Sequence, residues 1–319
     1  MITIAVDAMG GDNAPSAIVE GALLAAAQNP EIRLVLVGRE NDIRAELDKH
    51  PAHSRVFVLN ASEVIDMHET PTTAIRRKKD SSLVVGLNAV KNKEADAFVS
   101  AGNTGALLTG ATVIIGRKEG IERPALGAMI PNQQGSTLLI DSGANMDAKP
   151  SYLAQFAQMG TEYARSVMGI ERPRVGLINV GAEKEKGNSL AQEAYTLLEQ
   201  TSGIHFIGNV EAREIPMGAA DVAVCDAFVG NVILKYTEGF AKGLMDIIKE
   251  DMMSSLLSKL GAALSMGAFK KLKKRFDYRE TGGAPFLGLN ALVIKAHGSS
   301  DAVAVSNAIR QCILFNNKN

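Results

Sequence analysis

The sequence predicts an α/β fold, in which one largely parallel β-sheet is covered by helices on both faces. Short apolar runs alternate along the chain with stretches whose apolar residues recur at three- and four-residue spacing, such as Ser151–Met168 and Ser189–Gln200. That spacing is typical of amphipathic helices, and strands that alternate with helices favour parallel pairing. The 319 residues contain no long polar or low-complexity linker, so we expect one unit rather than independent domains.

Six strand-like runs share one pattern, in which the run ends in a turn rich in small and polar residues and a helix start follows. In open α/β sheets the carboxyl ends of the strands form the ligand crevice, so we expect these six loops to line it. The simpler alternative is that every α/β protein needs such residues at its turns. The six segments are Ile4–Pro15, Ala97–Gly110, Thr137–Pro150, Val175–Asn188, Val222–Lys235 and Leu292–Val305.

Composition and motifs argue against several ligand classes. A formal net charge of -1 argues against nucleic acid as a partner, because binding to a phosphate backbone needs a basic face. The chain lacks the G-x-G-x-x-G and G-x-x-x-x-G-K-[ST] patterns of nucleotide sites, and in "GAEKEKGN" the position of the P-loop lysine holds Asn188. No His, Cys, Asp or Glu group has metal-ligand spacing, so we predict neither a metal nor another cofactor.

The glycine-rich loops suit a small anion, because backbone N–H groups and helix N-termini favour negative charge. Asp7 and Asp12 in "IAVDAMGGDNAP" would repel a phosphate that touched them directly. We expect them to accept hydrogen bonds that orient an asparagine, a lysine or loop amides, and N-capping by Asp12 is an equally simple alternative. Gly102, Asn103 and Thr104 offer donors to phosphate, unless they only start a helix.

No residue stands out as a covalent catalyst. The chain lacks a G-x-S-x-G nucleophile elbow, and of five histidines only His297 lies at a predicted strand end. Cys225 lies inside an apolar run, where a buried inert thiol is favoured over a nucleophile. A reaction that suits these residues has a substrate as its nucleophile. The protein then needs mainly to position the reactants and to stabilise charge.

Separated motifs cover nearly the whole chain, from residue 2 to about residue 310. They include "AVDAMGGDNAP", "RRKKDSS", "VSAGNTGALL", "GANMDAKP", "GLINVGAEKEKGN", "GNVILK" and "GLNALVIKAHGSSD". In this order they resemble the PlsX family, the bacterial phosphate acyltransferases of phospholipid synthesis. The chain departs from the family at Leu287, before Gly288, where the family often has Phe.

The resemblance implies transfer of a fatty acyl group from acyl carrier protein to inorganic phosphate, which gives an acyl phosphate. It also implies a homodimer and a three-layer α/β/α fold with one mixed, largely parallel sheet, of the isocitrate/isopropylmalate dehydrogenase type. Residues 1–319 would then form a single catalytic unit made of two intertwined α/β halves. Lys186 and Asn231 match the family positions proposed to hold phosphate and to stabilise the developing oxyanion.

Direct attack by phosphate on the thioester agrees with the residue inventory, because a thiolate is a fair leaving group and no protein nucleophile is needed. Two other classes remain open, an NAD-dependent hydroxyacid dehydrogenase of the same fold and a non-catalytic scaffold that binds acyl carrier protein. The candidate substrate-binding residues are Asp7, Gly10, Gly11, Gly102, Asn103, Thr104, Asp141, Asn145, Asp226, Gly230 and His297.

Basic clusters are candidates for docking the carrier protein. Acyl carrier proteins are acidic, so a basic patch is expected on an enzyme that binds one. Arg76–Lys79 and Lys270–Arg275 are the two clusters that fit, although runs of charge more often form solvated faces.

Residues 252–276 predict a protruding amphipathic helical segment. An apolar stripe is followed by the basic cluster Lys270–Arg275, a composition suited to anionic lipid headgroups. The alternative is that the stripe packs in the core or across a dimer interface. An amphiphilic acyl phosphate favours membrane contact, where a downstream glycerol-3-phosphate acyltransferase would take it. The stripe residues are Met253, Leu256, Leu257, Leu260 and Leu264.

The remaining signals predict a cytoplasmic protein that associates peripherally with the membrane. Met1 runs into a strand-like segment without a signal-peptide pattern, and no apolar stretch approaches the roughly 18 residues that span a bilayer. Cys225 and Cys312 are the two cysteines and lie far apart in sequence, so we expect no disulfide framework.

Overall fold

One eleven-stranded sheet with flanking helices forms the protein in the computed structural model, which describes residues 1–316. The predicted α/β fold with one mixed, largely parallel sheet is confirmed. Residues 317–319, the last three of the expected catalytic unit, lie outside the described residues.

The strands, numbered along the chain, each contain between three and eight residues. They are β1 (Ile2–Asp7), β2 (Ile32–Gly38), β3 (Val56–Asn60), β4 (Ala97–Ser100), β5 (Ala125–Asn132), β6 (Gly135–Ile140), β7 (Arg174–Asn179), β8 (His205–Glu211), β9 (Val222–Val224), β10 (Gly283–Leu287) and β11 (Leu292–Ala296). Their order across the sheet is β3-β2-β1-β4-β11-β10-β5-β6-β9-β7-β8.

Helices follow most of the strands, and a short 3₁₀ helix at Ala212–Met217 joins β8 to β9. The α-helices are α1 (Ser16–Gln28), α2 (Glu40–Leu47), α3 (Pro71–Arg77), α4 (Ser82–Lys91), α5 (Thr104–Ile114), α6 (Pro150–Ser166), α7 (Ser189–Gln200), α8 (Ala227–Met252), α9 (Leu256–Phe276), α10 (Tyr278–Thr281) and α11 (Ala302–Asn316).

All six predicted strand–turn–helix segments are present, but they do not open on one edge of the sheet. The pairs β11–β10, β10–β5 and β5–β6 are antiparallel, whereas β1, β4 and β11 are parallel to one another, as are β6, β9 and β7. Three successive antiparallel contacts reverse the strand direction. The loops after β1, β4 and β11 therefore lie at one edge, here the first edge, and those after β6, β7 and β9 lie at the opposite, second edge. The expectation of a single crevice lined by all six loops is wrong for the segment Val175–Asn188, whereas residues of the other five segments line one cleft.

The hydrophobic core lies on both faces of the sheet, because successive side chains of β1 point to opposite faces. Ile4 and Val6 belong to the cluster beneath α1 and α11, whereas Ala5 faces the cluster beneath α4 and α5. Phe98 is fully buried there against Gly86, where a Cβ would lie 2.2 Å from the Phe98 ring. Burial of such a side chain stabilises the fold by about 1.5–3 kcal/mol.

The helices α8 and α9 form a long hairpin. α8 has 26 residues, of which only Ala227 and Gly230 are buried, and no described side chain of α9 is buried. Ser255 caps α9 by accepting a hydrogen bond from the amide of Ser258 at 3.1 Å. Met253 therefore lies in the turn between the helices, so its expected place on the helical stripe is corrected.

Candidate active site

A cleft of about 590 Å³ lies over β5 and β10, between the first turns of α8 and the loops of the first edge. Asn231 and Lys235 of α8 form one wall. Thr104, Lys295 and His297 from the first edge form the other. The volume and the few convergent polar groups are typical of a pocket for a small molecule.

The start of α8 positions Asn231. Asp226 caps the helix by accepting a hydrogen bond from a first-turn amide at 2.8 Å. Gly230 lets the helix approach the preceding loop, because a Cβ there would lie 1.9 Å from the carbonyl oxygen of Asp141. The amide nitrogen of Asn231 lies beside Gly143, 3.4 Å from where a Cβ of that glycine would be. Asp226 and Gly230 thus position Asn231 in the cleft, but neither of them lines the cleft itself.

Asp141 and Asn145 hold the loop after β6. Asp141 is fully buried, and burial raises the pKa of its carboxyl although hydrogen bonds oppose that shift. The side-chain amide of Asn145 donates to Asp141 at 2.7 Å and to the carbonyl of Pro124 at 2.8 Å. Both residues lie outside the cleft lining, so the structure gives them a supporting position. Asp141 also accepts hydrogen bonds from the amides of Leu126, Gly143, Ala144 and Asn145.

Asp7 organises the first edge in a similar way. Its buried carboxylate accepts hydrogen bonds from Ser100 Oγ at 2.7 Å and from the Met9 amide at 3.2 Å. Burial raises the pKa of this carboxyl. A Cβ at Gly10 would lie 2.5 Å from Asp7 Oδ2 and 2.7 Å from the nitrogen of Gly102, so the two loops pack backbone against backbone. Asp7, Gly10 and Gly102 therefore hold the loops of the first edge in place, and none of the three lines the cleft.

Gly11 and Asp12 join this loop to the one after β11. Gly11 has a φ of +100°, and a Cβ there would lie 2.9 Å from the carbonyl oxygen of Gly298. The Asp12 amide donates to the same oxygen at 2.8 Å, and the Asp12 side chain lines the cleft. Because α1 begins at Ser16 with Pro15 at its N-cap, the alternative of N-capping by Asp12 is wrong.

Asn103 and Thr104 have different positions at the start of α5. The side chain of Asn103 caps the helix by accepting from the Ala106 amide at 3.0 Å. Its amide nitrogen donates to the carbonyls of Met67 and Glu69 at 3.0 and 3.1 Å, which fixes the segment before α3. Asn103 is thus occupied by structural contacts, whereas Thr104 lines the cleft.

Lys295, near the end of β11, is the residue that the sequence interpretation missed. Its side chain is almost buried, with 8 % exposure, yet it lines the cleft. Its ammonium donates to the carbonyl of Ala101 at 3.1 Å and to that of Ala296. Burial lowers the pKa of Lys295 to about 8, although Asp7 and Asp12 oppose the shift. A lysine within the apolar strand "LVIKA" was the available signal.

His297 and Lys235 lie in contact with each other in the cleft. The Nε2 atom of His297 lies 3.3 Å from Lys235 Nζ, and its Nδ1 lies 2.8 Å from Ser299 Oγ. Burial and the charge of Lys235 lower the pKa of His297, which favours the neutral imidazole near pH 7. Lys235 also donates to Glu238 at 2.8 Å. With Lys295, the cleft therefore contains two cations, and the carboxylates of Asp12 and Glu238 line it as well.

Lys186 lies away from this cleft. It is exposed in the loop after β7, and no residue of that loop lines the cleft. The neighbouring Asn188 lines a separate apolar groove of about 460 Å³, here the outer groove, whose other wall includes Phe228 and Val232 of α8. The expected catalytic pair of Lys186 and Asn231 is thus not brought together within the cleft of one chain.

Both cysteines are buried. Cys225 is 3 % exposed, and burial raises the pKa of its thiol well above the usual value. A thiol that stays protonated and inaccessible is a poor nucleophile. Within residues 1–316, no cluster of three His, Cys, Asp or Glu side chains is arranged to hold a metal ion.

Fold and cleft together define an α/β protein with a polar site for a small ligand, in which two lysines lie beside two carboxylates. The profile of the family described as "Fatty acid synthesis protein" matches residues 2–319. A phosphate acyltransferase of Clostridium perfringens (strain SM101 / Type A) is 50% identical over 313 residues, which cover 98% of this chain and 92% of that protein. The chain therefore belongs to the fatty acid synthesis protein family, to which the phosphate acyltransferases belong, and it is an enzyme.

Solved structures with the same fold are more distant in sequence. The EutD phosphotransacetylase from Staphylococcus aureus has a TM-score of 0.60 at 17% identity, covering 98% of this chain and 92% of that one. A 4-hydroxythreonine-4-phosphate dehydrogenase from Klebsiella pneumoniae has a TM-score of 0.57 at 14% identity, covering 99% of each chain. At such identities the likeness shows the fold alone, a fold that transacylases and dehydrogenases share.

Proposed function

We propose that this enzyme transfers a fatty acyl group from acyl carrier protein to inorganic phosphate and forms an acyl phosphate for phospholipid synthesis. The observation that carries this proposal is the cleft that combines Lys295 and Lys235 with the amide of Asn231. Two cations hold a phosphate, and an amide donor stabilises an oxyanion without repelling it.

The proposed reaction is direct. A phosphate oxygen held by Lys295 and Lys235 attacks the thioester carbonyl carbon and forms a C–O bond. The carbonyl oxygen becomes an oxyanion, which accepts a hydrogen bond from Asn231. Collapse of this tetrahedral species breaks the C–S bond and releases the carrier as a thiolate, which takes a proton from solvent. The lysines hold the phosphate beside the thioester, and such positioning is worth several orders of magnitude in rate.

The direct test uses purified protein, acyl carrier thioester and phosphate. We expect one acyl phosphate, trapped as its hydroxamate, and one free carrier thiol for each thioester consumed, with no turnover when phosphate is omitted. Phosphate-independent loss of thioester would contradict the proposal. An absorbance change that depends on NAD and a hydroxyacid would instead favour the dehydrogenase alternative.

Cys225→Ala is expected to keep acyl transfer within about twofold, because a thiol that burial keeps protonated does not attack the thioester. Steady-state rates of the variant and wild type, measured well below the unfolding temperature, check this. Radiolabelled acyl groups that remain on the denatured wild-type protein would reveal an acyl-enzyme and contradict direct attack.

The basic residues of α3 are our candidate docking surface for the carrier protein. Arg76, Arg77 and Lys79 are exposed at the end of α3. Met67, just before this helix, lines the cleft, and Asn103 holds the same segment. An acidic carrier bound there would have its thioester close to the cleft, and its association would weaken with salt.

A homodimer is supported by the outer face of α8. Six large apolar side chains on that face are between 45 and 68 % exposed, and the rings of Tyr236 and Phe240 stack at 5.8 Å. An exposed apolar stripe of this size marks an interaction surface. The stripe borders the outer groove next to Lys186, so we propose that a partner seated there also covers Lys186. The six residues are Phe228, Val232, Tyr236, Phe240, Leu244 and Ile247.

Reversible membrane contact is supported by the hairpin of α8 and α9. Among residues 1–316, every helix is too short or too polar to cross a bilayer. The leucines at positions 256, 257, 260 and 264 are between 60 and 86 % exposed, and Lys270, Lys271, Lys274 and Arg275 are exposed further along α9. The side chain of Lys273, part of the same basic cluster, lies outside the described residues. Apolar insertion with basic contacts suits an anionic lipid surface.

Leu256→Glu combined with Leu260→Glu is expected to abolish co-sedimentation with anionic vesicles, because charge replaces the inserting side chains. Acyl transfer in solution should stay within about threefold, since both leucines are exposed. The matched control is Ser258→Glu with Ser265→Glu, which adds the same charge to the opposite side of α9 and should keep most binding. Unfolding or loss of the dimer in the leucine variant alone would instead assign the stripe to the protein interior or to the partner subunit.

A further inference from the structure

A second cavity of about 270 Å³, here the inner groove, continues from the cleft along α8. The two cavities share Met129, Leu234, Glu238 and Thr281 as lining residues, so they form one connected space. The inner groove lies on the cleft side of α8, opposite the apolar stripe of its outer face.

Half of the side chains along the inner groove are apolar. Met129 and Pro131 of β5 face Leu234 and Ala241 of α8, and Phe276 lies at the end of α9. These side chains offer an apolar surface to a hydrocarbon.

The charged groups of the inner groove have partners of their own. Glu238 accepts a hydrogen bond from Lys235 at 2.8 Å, and Asp277 accepts one from Arg279 at 2.5 Å. At the far end, Arg275 donates to the carbonyl of Asn132, which ties α9 to β5 and closes this side of the groove. An uncharged chain can therefore pass both carboxylates without leaving an unpaired charge buried.

The direction of the groove matches the proposed reaction. Asn231, Leu234, Glu238 and Ala241 follow one another at three- and four-residue spacing on one face of α8. Ala241 lies ten residues after Asn231, about 15 Å along the helix axis. A thioester whose carbonyl oxygen binds Asn231 therefore has a groove of that length beside it.

We propose that the inner groove binds the hydrocarbon chain of the acyl donor and sets the chain length that the enzyme prefers. This inference rests on the proposed acyl transfer at Asn231. Each methylene buried in the groove contributes roughly a fourfold gain in affinity, so selectivity for long chains accumulates along α8. Ala241, the small residue furthest along α8, limits the usable length.

Ala241→Phe tests the inference, because the larger side chain fills the inner groove without reaching the cleft. The substrates are butyryl, octanoyl and palmitoyl thioesters of acyl carrier protein, and kcat/KM is measured for each. We expect palmitoyl transfer to fall by at least about tenfold, since several methylenes lose their site, while butyryl transfer stays within about twofold. Ala27→Phe, on the exposed side of α1, is the size-matched control and should leave all three values unchanged.

The outcomes separate this inference from the proposed function. Equal losses for all three chains, or no loss for any, would overturn the groove assignment while phosphate-dependent transfer by wild type still stood. No phosphate-dependent transfer by wild type with any chain would overturn the proposed function itself. Phe276→Ala provides a second variant that widens the far end, and the inference requires it to shift the preference toward longer chains relative to wild type.

Discussion

Replacing Asn231 by alanine is expected to lower phosphate-dependent acyl transfer by about 10²–10³-fold, because the amide is the proposed donor to the oxyanion. The KM for the carrier thioester should change little, since the contact strengthens only in the transition state. Circular dichroism and native mass should match wild type, because Asn231 lies on a partly exposed face of α8. Turnover near the wild-type rate by a folded variant would remove Asn231 from the mechanism.

Lys186→Ala should cause a loss of similar size if the partner subunit supplies Lys186 to the cleft. Mixed dimers test this directly. A dimer with one Lys186→Ala chain and one Asn231→Ala chain would contain one site with both residues intact. Random reassembly of equal amounts should then restore about a quarter of wild-type activity from two inactive proteins. Failure to restore activity would contradict supply across the subunits, and full activity of Lys186→Ala alone would remove Lys186 from catalysis.

Lys295→Met is expected to raise the KM for phosphate strongly and to lower kcat/KM by about 10²–10³-fold, because the buried cation is lost while the side chain keeps its length. Burial lowers the pKa of Lys295 to about 8, so the wild-type lysine is charged at pH 7 and loses its charge as the pH rises through that value. Wild-type activity at limiting phosphate should therefore fall between pH 7 and 9.

Lys295→Arg separates the charge of Lys295 from the titration of phosphate itself. Arginine stays protonated throughout this range, so the variant should lose the decline near pH 8 even if its rate is lower. Lys235→Met removes the more exposed cation and should cost less than Lys295→Met. A wild-type profile that is flat from pH 7 to 9, or normal phosphate affinity in Lys295→Met, would exclude Lys295 as the phosphate site.

The local parts of the fold were predictable from the sequence, whereas the relative direction of the strands was not. Each of the six strand–turn–helix segments is defined by neighbouring residues, through apolar runs, turn residues and helical spacing. Whether two such segments open on the same edge depends on pairing between distant strands. The antiparallel strands β10 and β5 decide it here, and nothing in their own residues specifies their partners.

The same distinction applies to the candidate site. His297, Thr104 and Asn231 were predicted and line the cleft, because each lies at a strand end or in the first turns of a helix. Asp141 is a loop residue of the same kind, but its carboxylate faces inward and binds amides of its own loop. Polar residue type alone does not distinguish a side chain that faces a ligand from one that holds a loop. Lys295 was missed because its reach from a buried strand into the cleft depends on packing.

The uninterrupted helix α8 also sets the distance between the cleft and the tip of the hairpin. Asn231 lies in its second turn and Met252 is its last residue, so about 30 Å of rigid rod separates the reacting groups from the hairpin tip. If the tip rests on a lipid surface, the mouth of the cleft lies on the water side, beside the basic end of α9 that would contact the headgroups. A carrier protein can then approach, unload and depart from the water side while the enzyme stays on the membrane. The number of turns in α8 therefore sets how far the reacting groups lie from the hairpin tip.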